Sequence, residues 1–157
     1  MLAGPVEGDD GDGYIGALVS SPTPPLAGLR VLVVDDDRVA LTIFCAMLEG
    51  AGAHVECVGG GAEALARMAE QPFDFLLCDV YMPGLDGFEV IRRVRQLAPA
   101  SVAEVPAVAI TAHPSYENRR DALRAGFQDL VGKPIEPAAL VDLVRRLGRP
   151  AGQDAPR

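Results

Sequence analysis

Lysine is nearly absent from this chain of 157 residues: thirteen of its fourteen basic residues are arginine, and Lys133 is the only lysine. A chain that uses arginine everywhere else needs a reason for one compact ammonium on a flexible stem, which a wide guanidinium fork cannot mimic. Basic charge is scarce as well. The net charge of −8 argues against a nucleic-acid interface, which needs a clustered basic face. The Arg-Arg pairs at 92 and 93, 119 and 120, and 145 and 146 fall within helical patterns and read as solvated faces. No apolar run approaches the roughly 18 residues of a membrane span, and no basic segment precedes a signal-like core. The expectation is a soluble, cytoplasmic protein without membrane contact. Cysteine is limited to Cys45, Cys57 and Cys78, an odd number at no metal-binding spacing, each in an apolar context. They are expected to be small buried hydrophobes in a reducing compartment, with neither zinc nor disulfides.

What is present is enough apolar material for one core. Hydrophobic residues make up 49% of the chain, and the length suits a single domain. Residues 1–28 are rich in Gly, Pro and Asp, cannot bury enough surface to offset ordering entropy, and read as a flexible leader or linker. From Leu29 strand and helix patterns alternate, the signature of βαβ units and a parallel sheet. Strands are expected at Arg30 to Val34, His54 to Val58 (an edge strand), Phe75 to Cys78, Val105 to Ile110 and Leu130 to Val131. Helices are expected at Arg38 to Gly50, Glu63 to Glu70, Phe88 to Leu97, Ser115 to Ala125 and from Pro137 to Gly148. Gly59-Gly60-Gly61 is not a phosphate loop, because no Lys-Ser/Thr follows and no dinucleotide-binding frame fits. Residues 149–157 read as a disordered tail, so the folded domain is expected over 29–148.

The stretch Phe75 to Cys78 is an unbroken apolar run, as a strand covered on both faces requires, and it stops on Asp79. Pro83, Gly84, Asp86 and Gly87 then supply turn chemistry for a tight exit loop. Other expected strands also end on polar residues: Val34 runs into Asp35 and Asp36, Ile110 into Thr111, Gly132 into Lys133. Right-handed crossovers put these ends on one edge of the sheet, where open α/β sheets bind ligands. Carboxylates crowded there must take a proton or share a cation. An oxygen-only set with water access suits Mg²⁺, which leaves coordination positions for a phosphate. With Lys133 to balance one phosphoryl oxygen and Thr111 to donate to another, the constellation suits formation of an aspartyl phosphate.

On these residues, Asp35-Asp36, Asp79 with Met82-Pro83-Gly84 and Asp86-Gly87, Thr111-Ala112 and Lys133-Pro134, the chain resembles the receiver domains of two-component response regulators from Leu29 to Gly148. The resemblance implies a flavodoxin-like, doubly wound parallel sheet of five strands in the order 2-1-3-4-5. It implies that Asp79 is the phosphoacceptor, that Asp36, Asp79 and the Tyr81 carbonyl bind Mg²⁺ with Asp35 helping through water, and that Thr111 and Lys133 are the switch hydroxyl and the phosphate-reading cation. It further implies a histidine kinase or histidine phosphotransfer domain as partner. The family's usual aromatic residue three positions before the lysine is Leu130 here, which has no ring to swing inward behind Thr111. Tyr81 and His113 stand two residues after Asp79 and Thr111, positions that in this family flank the phosphoryl group; a bulky Tyr81 is expected to restrict the attacking water and lengthen the phosphorylated lifetime, while His113, next to Pro114, reads equally as an exposed loop residue.

Two further readings come from other classes. Val34-Asp35-Asp36-Asp37-Arg38-Val39 fits the motif of phosphohydrolases resembling the haloacid dehalogenases, with Asp35 as nucleophile; an interaction module that never turns over phosphate is the third reading. The helix from Arg38 is apolar almost all round. Leu41, Phe44 and Leu48 suffice to cover the sheet, and the second stripe of Val39, Ile43 and Ala46 is either buried with the rest of the helix or an exposed docking face for a partner helix bundle. The leader, Thr111-Ala112-His113 and Lys133-Pro134-Ile135-Glu136-Pro137 resemble receivers at the carboxyl terminus of hybrid histidine kinases, with a free-standing receiver as the rival. The oligomeric state, homodimer included, stays open.

Overall fold

A computed structural model describes residues 22–149. Five parallel strands, β1 (Arg30–Val34), β2 (His54–Val58), β3 (Phe75–Asp79), β4 (Ala107–Thr111) and β5 (Asp129–Gly132), form one sheet in the order β2-β1-β3-β4-β5. Parallel neighbours require long crossovers, supplied here by α1 (Arg38–Gly50), α2 (Gly61–Glu70), α3 (Gly87–Val94), α4 (Ala100–Ala103) and α5 (Tyr116–Ala125), with α6 (Pro137–Leu147) completing the layers. Side chains alternate across a strand, so each strand feeds two cores. Leu32, Val34, Leu76 and Cys78 face Met68, Val90, Ile91, Val94 and Ala122, from α2, α3 and α5. Val31, Val33, Phe75, Leu77 and Ile110 face Phe44, Leu48, Leu140 and Val144, from α1 and α6. Both central strands β3 and β4 are buried along their whole length, whereas β2 at the edge is mostly open.

The expected strand order holds; several bounds shift by a residue or two, β4 running over Ala107–Thr111 rather than Val105 to Ile110, and the larger departures have physical causes. The folded unit begins before Leu29: Leu26 is fully buried in the α1–α6 core and its N–H donates to the Ala51 carbonyl at 2.9 Å. Gly52, at φ +102°, has no room for a Cβ because Pro24 lies against it. The boundary at residue 28 is therefore too late. The rest of the expected leader, through residue 21, and the tail from residue 150 lie outside the described residues. The helix expected to reach Leu97 stops at Val94, and the short α4 follows. Arg95 turns back at that point and donates to the carbonyls of Ala103, Val105 and Gly126, so it fastens α4 and the entry to β4.

The cysteines are not all the buried, unpaired thiols expected, and Cys57 is exposed on the edge strand. Cys45 on α1 and Cys57 on β2 are disulfide-bonded, with Cα atoms 6.8 Å apart, and only Cys78 is free and buried. Twelve positions separate the pair in sequence. The packing of α1 against the edge strand brings them together, which no spacing rule for metal ligands registers. Among the described residues no helix is long and apolar enough to cross a membrane.

Candidate functional site

The register of the sheet decides which strand ends meet. Val34 pairs with Cys78, Asp79 with Ile110, and Thr111 with Gly132. Asp35, Asp79, Thr111 and Lys133 therefore leave four neighbouring strands at one edge, the crevice where doubly wound sheets hold ligands.

Asp35 is 1% exposed. One of its oxygens accepts the Asp37 N–H at 2.9 Å and the other accepts the Lys133 ammonium at 2.7 Å. Asp79 is also buried, and Lys133 Nζ lies 3.3 Å from its Oδ1. Asp36 is exposed at the mouth, and oxygens of Asp35, Asp36 and Asp79 all lie within 4.8 Å of one another. Thr111 is fully buried; its Oγ1 accepts the His113 N–H at 3.1 Å, and its carbonyl accepts the Lys133 N–H at 2.8 Å. The second bond carries the β4–β5 ladder up to the lysine and so aims that side chain into the crevice.

The loops are shaped to leave the edge open. Asp37 caps α1, its carboxylate accepting the N–H groups of Val39 and Ala40, and Asp86 caps α3 by accepting from Glu89. Gly84 has a φ of +77°, which few other residues adopt. A Cβ on Gly87 would collide with the backbone of Asp79 and Val80. That glycine lets α3 begin directly beside the end of β3.

Charge balance at the site is incomplete. Burial, and next the nearby Asp35 charge, push the Asp79 carboxyl up to about 6, although Lys133 works in the opposite direction. Burial of Lys133 opposes its own charge, but the hydrogen bond to Asp35 and the charges of Asp79 and Asp35 outweigh this and hold its pKa above the usual lysine value. Burial, then the carboxylates of Asp79 and Asp35, push the Cys78 thiol far up, so it is no nucleophile. With all three acids ionised, one ammonium leaves two negative charges unmatched, the charge of one divalent cation. An all-oxygen donor set fits a hard ion such as Mg²⁺.

The structure thus brings Asp35, Asp36, Asp79, Thr111 and Lys133 together, with Tyr81 half exposed on the loop after Asp79. It also contains a contact that the sequence did not indicate. The Tyr81 hydroxyl donates to Asn118 Oδ1 at 2.9 Å, and Asn118 Nδ2 donates to the His113 carbonyl at 2.8 Å. Asn118 has no strand-end or motif signal; only the folded loops bring it to Tyr81. Leu130, at the position lacking an aromatic ring, is buried in the core. His54 is exposed, as expected. Asp37, the second acid of the hydrolase-like motif, is turned to the helix cap.

A doubly wound α/β sheet with an acidic cluster and a lone lysine at its carboxyl edge defines a phosphate-handling class. The family model for the response regulator receiver domain matches residues 31–145, and the chain belongs to that family. It is a phosphoacceptor module of two-component signalling. Over 121 residues it is 41% identical to an uncharacterised 14.6 kDa protein of Leptolyngbya boryana, covering 77% of this chain and 91% of that one. The sensor protein GacS of Pseudomonas syringae is 37% identical over 77% of this chain, but the match spans only 14% of that protein. Among solved structures, the receiver domain of a sensor histidine kinase from Pseudomonas aeruginosa superposes with a TM-score of 0.70 at 33% identity, covering 77% of this chain and 98% of that one, and it was solved with a magnesium ion coordinated in its active site cleft.

Proposed function

We propose that Asp79 accepts a phosphoryl group from the histidine of a kinase or phosphotransfer protein, in a reaction that requires Mg²⁺ and takes place in the cytoplasm. The observation that carries this reading is the placement of the sole lysine, 2.7 Å from Asp35 and 3.3 Å from Asp79, within a cluster of three carboxylates. Asp36, Asp79 and the Tyr81 carbonyl would hold the ion, with Asp35 acting through water; the ion supplies charge neutralisation of the phosphoryl oxygens. An Asp79 oxygen attacks phosphorus, the P–N bond to the donor imidazole breaks, and its electron pair leaves with the imidazole. Lys133 balances one phosphoryl oxygen as its hold on Asp79 is given up, and the Thr111 hydroxyl donates to another. Lysine suits this task because a rotatable point charge can follow the moving oxygen, which a planar fork cannot.

The donor docks on α1. Val39 and Ile43 are 68% and 47% exposed, and a groove lined by Ala40, Ile43, Phe44, Met47 and Lys133 to Ile135 runs from that helix to the lysine. A partner helix laid there brings its histidine to the crevice.

Incubation with Mg²⁺ and acetyl phosphate or beryllofluoride, followed by location of the modified carboxylate, tests the reading. Modification of Asp79 is expected. Modification of Asp35 would favour the hydrolase, and none at all an inert interaction module.

A further inference from the structure

The carboxylates and the lysine explain how a phosphoryl group is accepted, but not how long it stays. Two loops border the opening to Asp79: the β3–α3 loop, which carries Tyr81, and the β4–α5 loop, which carries His113. Because β3 and β4 are adjacent, with Asp79 opposite Ile110, these loops leave the sheet side by side. They are joined through Asn118, near the start of α5.

The bonds of Asn118 fix its orientation. The His113 carbonyl can only accept, so the amide nitrogen must face it, at 2.8 Å. The amide oxygen is then left for the Tyr81 hydroxyl, at 2.9 Å. The Asn118 N–H donates to Ser115 Oγ at 3.0 Å, which anchors the residue to the helix cap. The Tyr81 ring meets the His113 ring edge-on, with centroids 6.4 Å apart. The phenol is therefore held at both its hydroxyl and its ring, although Tyr81 is half exposed and no buried pocket confines it.

We propose that Asn118 is a positioning residue: by holding the Tyr81 phenol as a bridge between the two loops beside Asp79, it limits access of water to the aspartyl phosphate and sets the lifetime of the phosphorylated state. The step controlled is hydrolysis, in which a water oxygen attacks phosphorus, the P–O bond to Asp79 breaks, the electron pair returns to the carboxylate, and the water's proton leaves with inorganic phosphate. Without the amide, the phenol regains its rotamers and exchanges its partner for solvent. This inference rests on the proposal that Asp79 is the phosphoacceptor.

The test is to load the protein with acetyl phosphate and Mg²⁺, remove the donor, and follow loss of label from Asp79. Asn118→Ala and Tyr81→Phe should each hasten the loss about fivefold, the factor that one net hydrogen bond represents. The double variant should be no faster than either single one. Asn118→Asp keeps an acceptor for the phenol but puts a carboxylate oxygen against the His113 carbonyl, which also only accepts, so it too should hasten the loss. Mg²⁺ affinity of Asn118→Ala should not change; should Asn118→Ala fail to fold, Tyr81→Phe carries the test. An unchanged lifetime in the variants, or effects that multiply in the double variant, would overturn the positioning role. Absence of label on Asp79 in the unaltered protein would instead overturn the phosphoacceptor reading on which it rests.

Discussion

The two sides of the Asp79 opening are built differently. In the cluster of Asp35, Asp79 and Lys133 the groups are charged and shielded: Asp35 and Asp79 are almost wholly buried and share one ammonium. Towards the outer end of β4 and the start of α5 the contacts are neutral and exposed, running from Tyr81 through Asn118 to His113. A buried charge without its partner costs several kcal/mol, while an exposed neutral hydrogen bond contributes about 1 kcal/mol or less. The first side is therefore intolerant of change and does the chemistry. The second can vary at little cost and is suited to setting rates.

The largest effects belong to the charged side. Asp79→Asn should abolish phosphorylation and, in metal-free protein, should stabilise the fold at neutral pH. Its carboxyl, raised to about 6 first by burial, is favoured in its neutral form when folded. Its stabilising contribution is therefore complete below the unfolded value of about 4 and is lost as pH rises through 6, on the order of 2 kcal/mol. Melting curves from pH 4 to 7.5 in EDTA should show the unaltered protein falling relative to Asp79→Asn, with Mg²⁺ closing the gap. A gap that opens in the other direction would contradict the burial of this charge.

Lys133→Ala should destabilise the fold by about 3 kcal/mol, since it strands the buried Asp35 carboxylate. Lys133→Arg should restore much of that stability in chemical denaturation but not the rate of phosphoryl uptake, because the fork cannot follow a transferring oxygen. On the outer surface, Ile43→Arg should slow transfer from a histidine phosphotransfer protein about tenfold, as for an anchoring interface residue. Uptake from acetyl phosphate and the melting temperature should not change. The smallest effect is expected on the neutral side: Tyr81→Asn, which removes the ring as well as the hydroxyl, should speed dephosphorylation by about fivefold or somewhat more. An unchanged or slower rate would erase the contrast between the two sides.

The same contrast separates what could be read from sequence from what could not. Asp35, Asp79, Thr111 and Lys133 are legible because each stands at or just past a strand end, and parallel topology carries strand ends to one edge. Although only the packing decides that it is exposed rather than buried, the second stripe of Val39, Ile43 and Ala46 is legible because α1 holds more apolar residues than one sheet face needs. Asn118 was not, since it lies in a polar helix and gains its role only from a loop 37 positions away. Leu26 looked like linker because its neighbours are Pro and Gly; its burial depends on the turn between α1 and β2 that receives it. Cys45 and Cys57 each sit in an apolar stretch that suggests a core residue, and their bond appears only once helix and edge strand are packed together.

Borohydride trapping offers the most direct test of the phosphoryl site. Protein phosphorylated by acetyl phosphate in Mg²⁺ and then reduced should yield homoserine at position 79 and unaltered aspartate at 35 and 36, with no product when Mg²⁺ is withheld. Homoserine at 35, or none with Mg²⁺ present, would contradict the assignment of Asp79 as the acceptor.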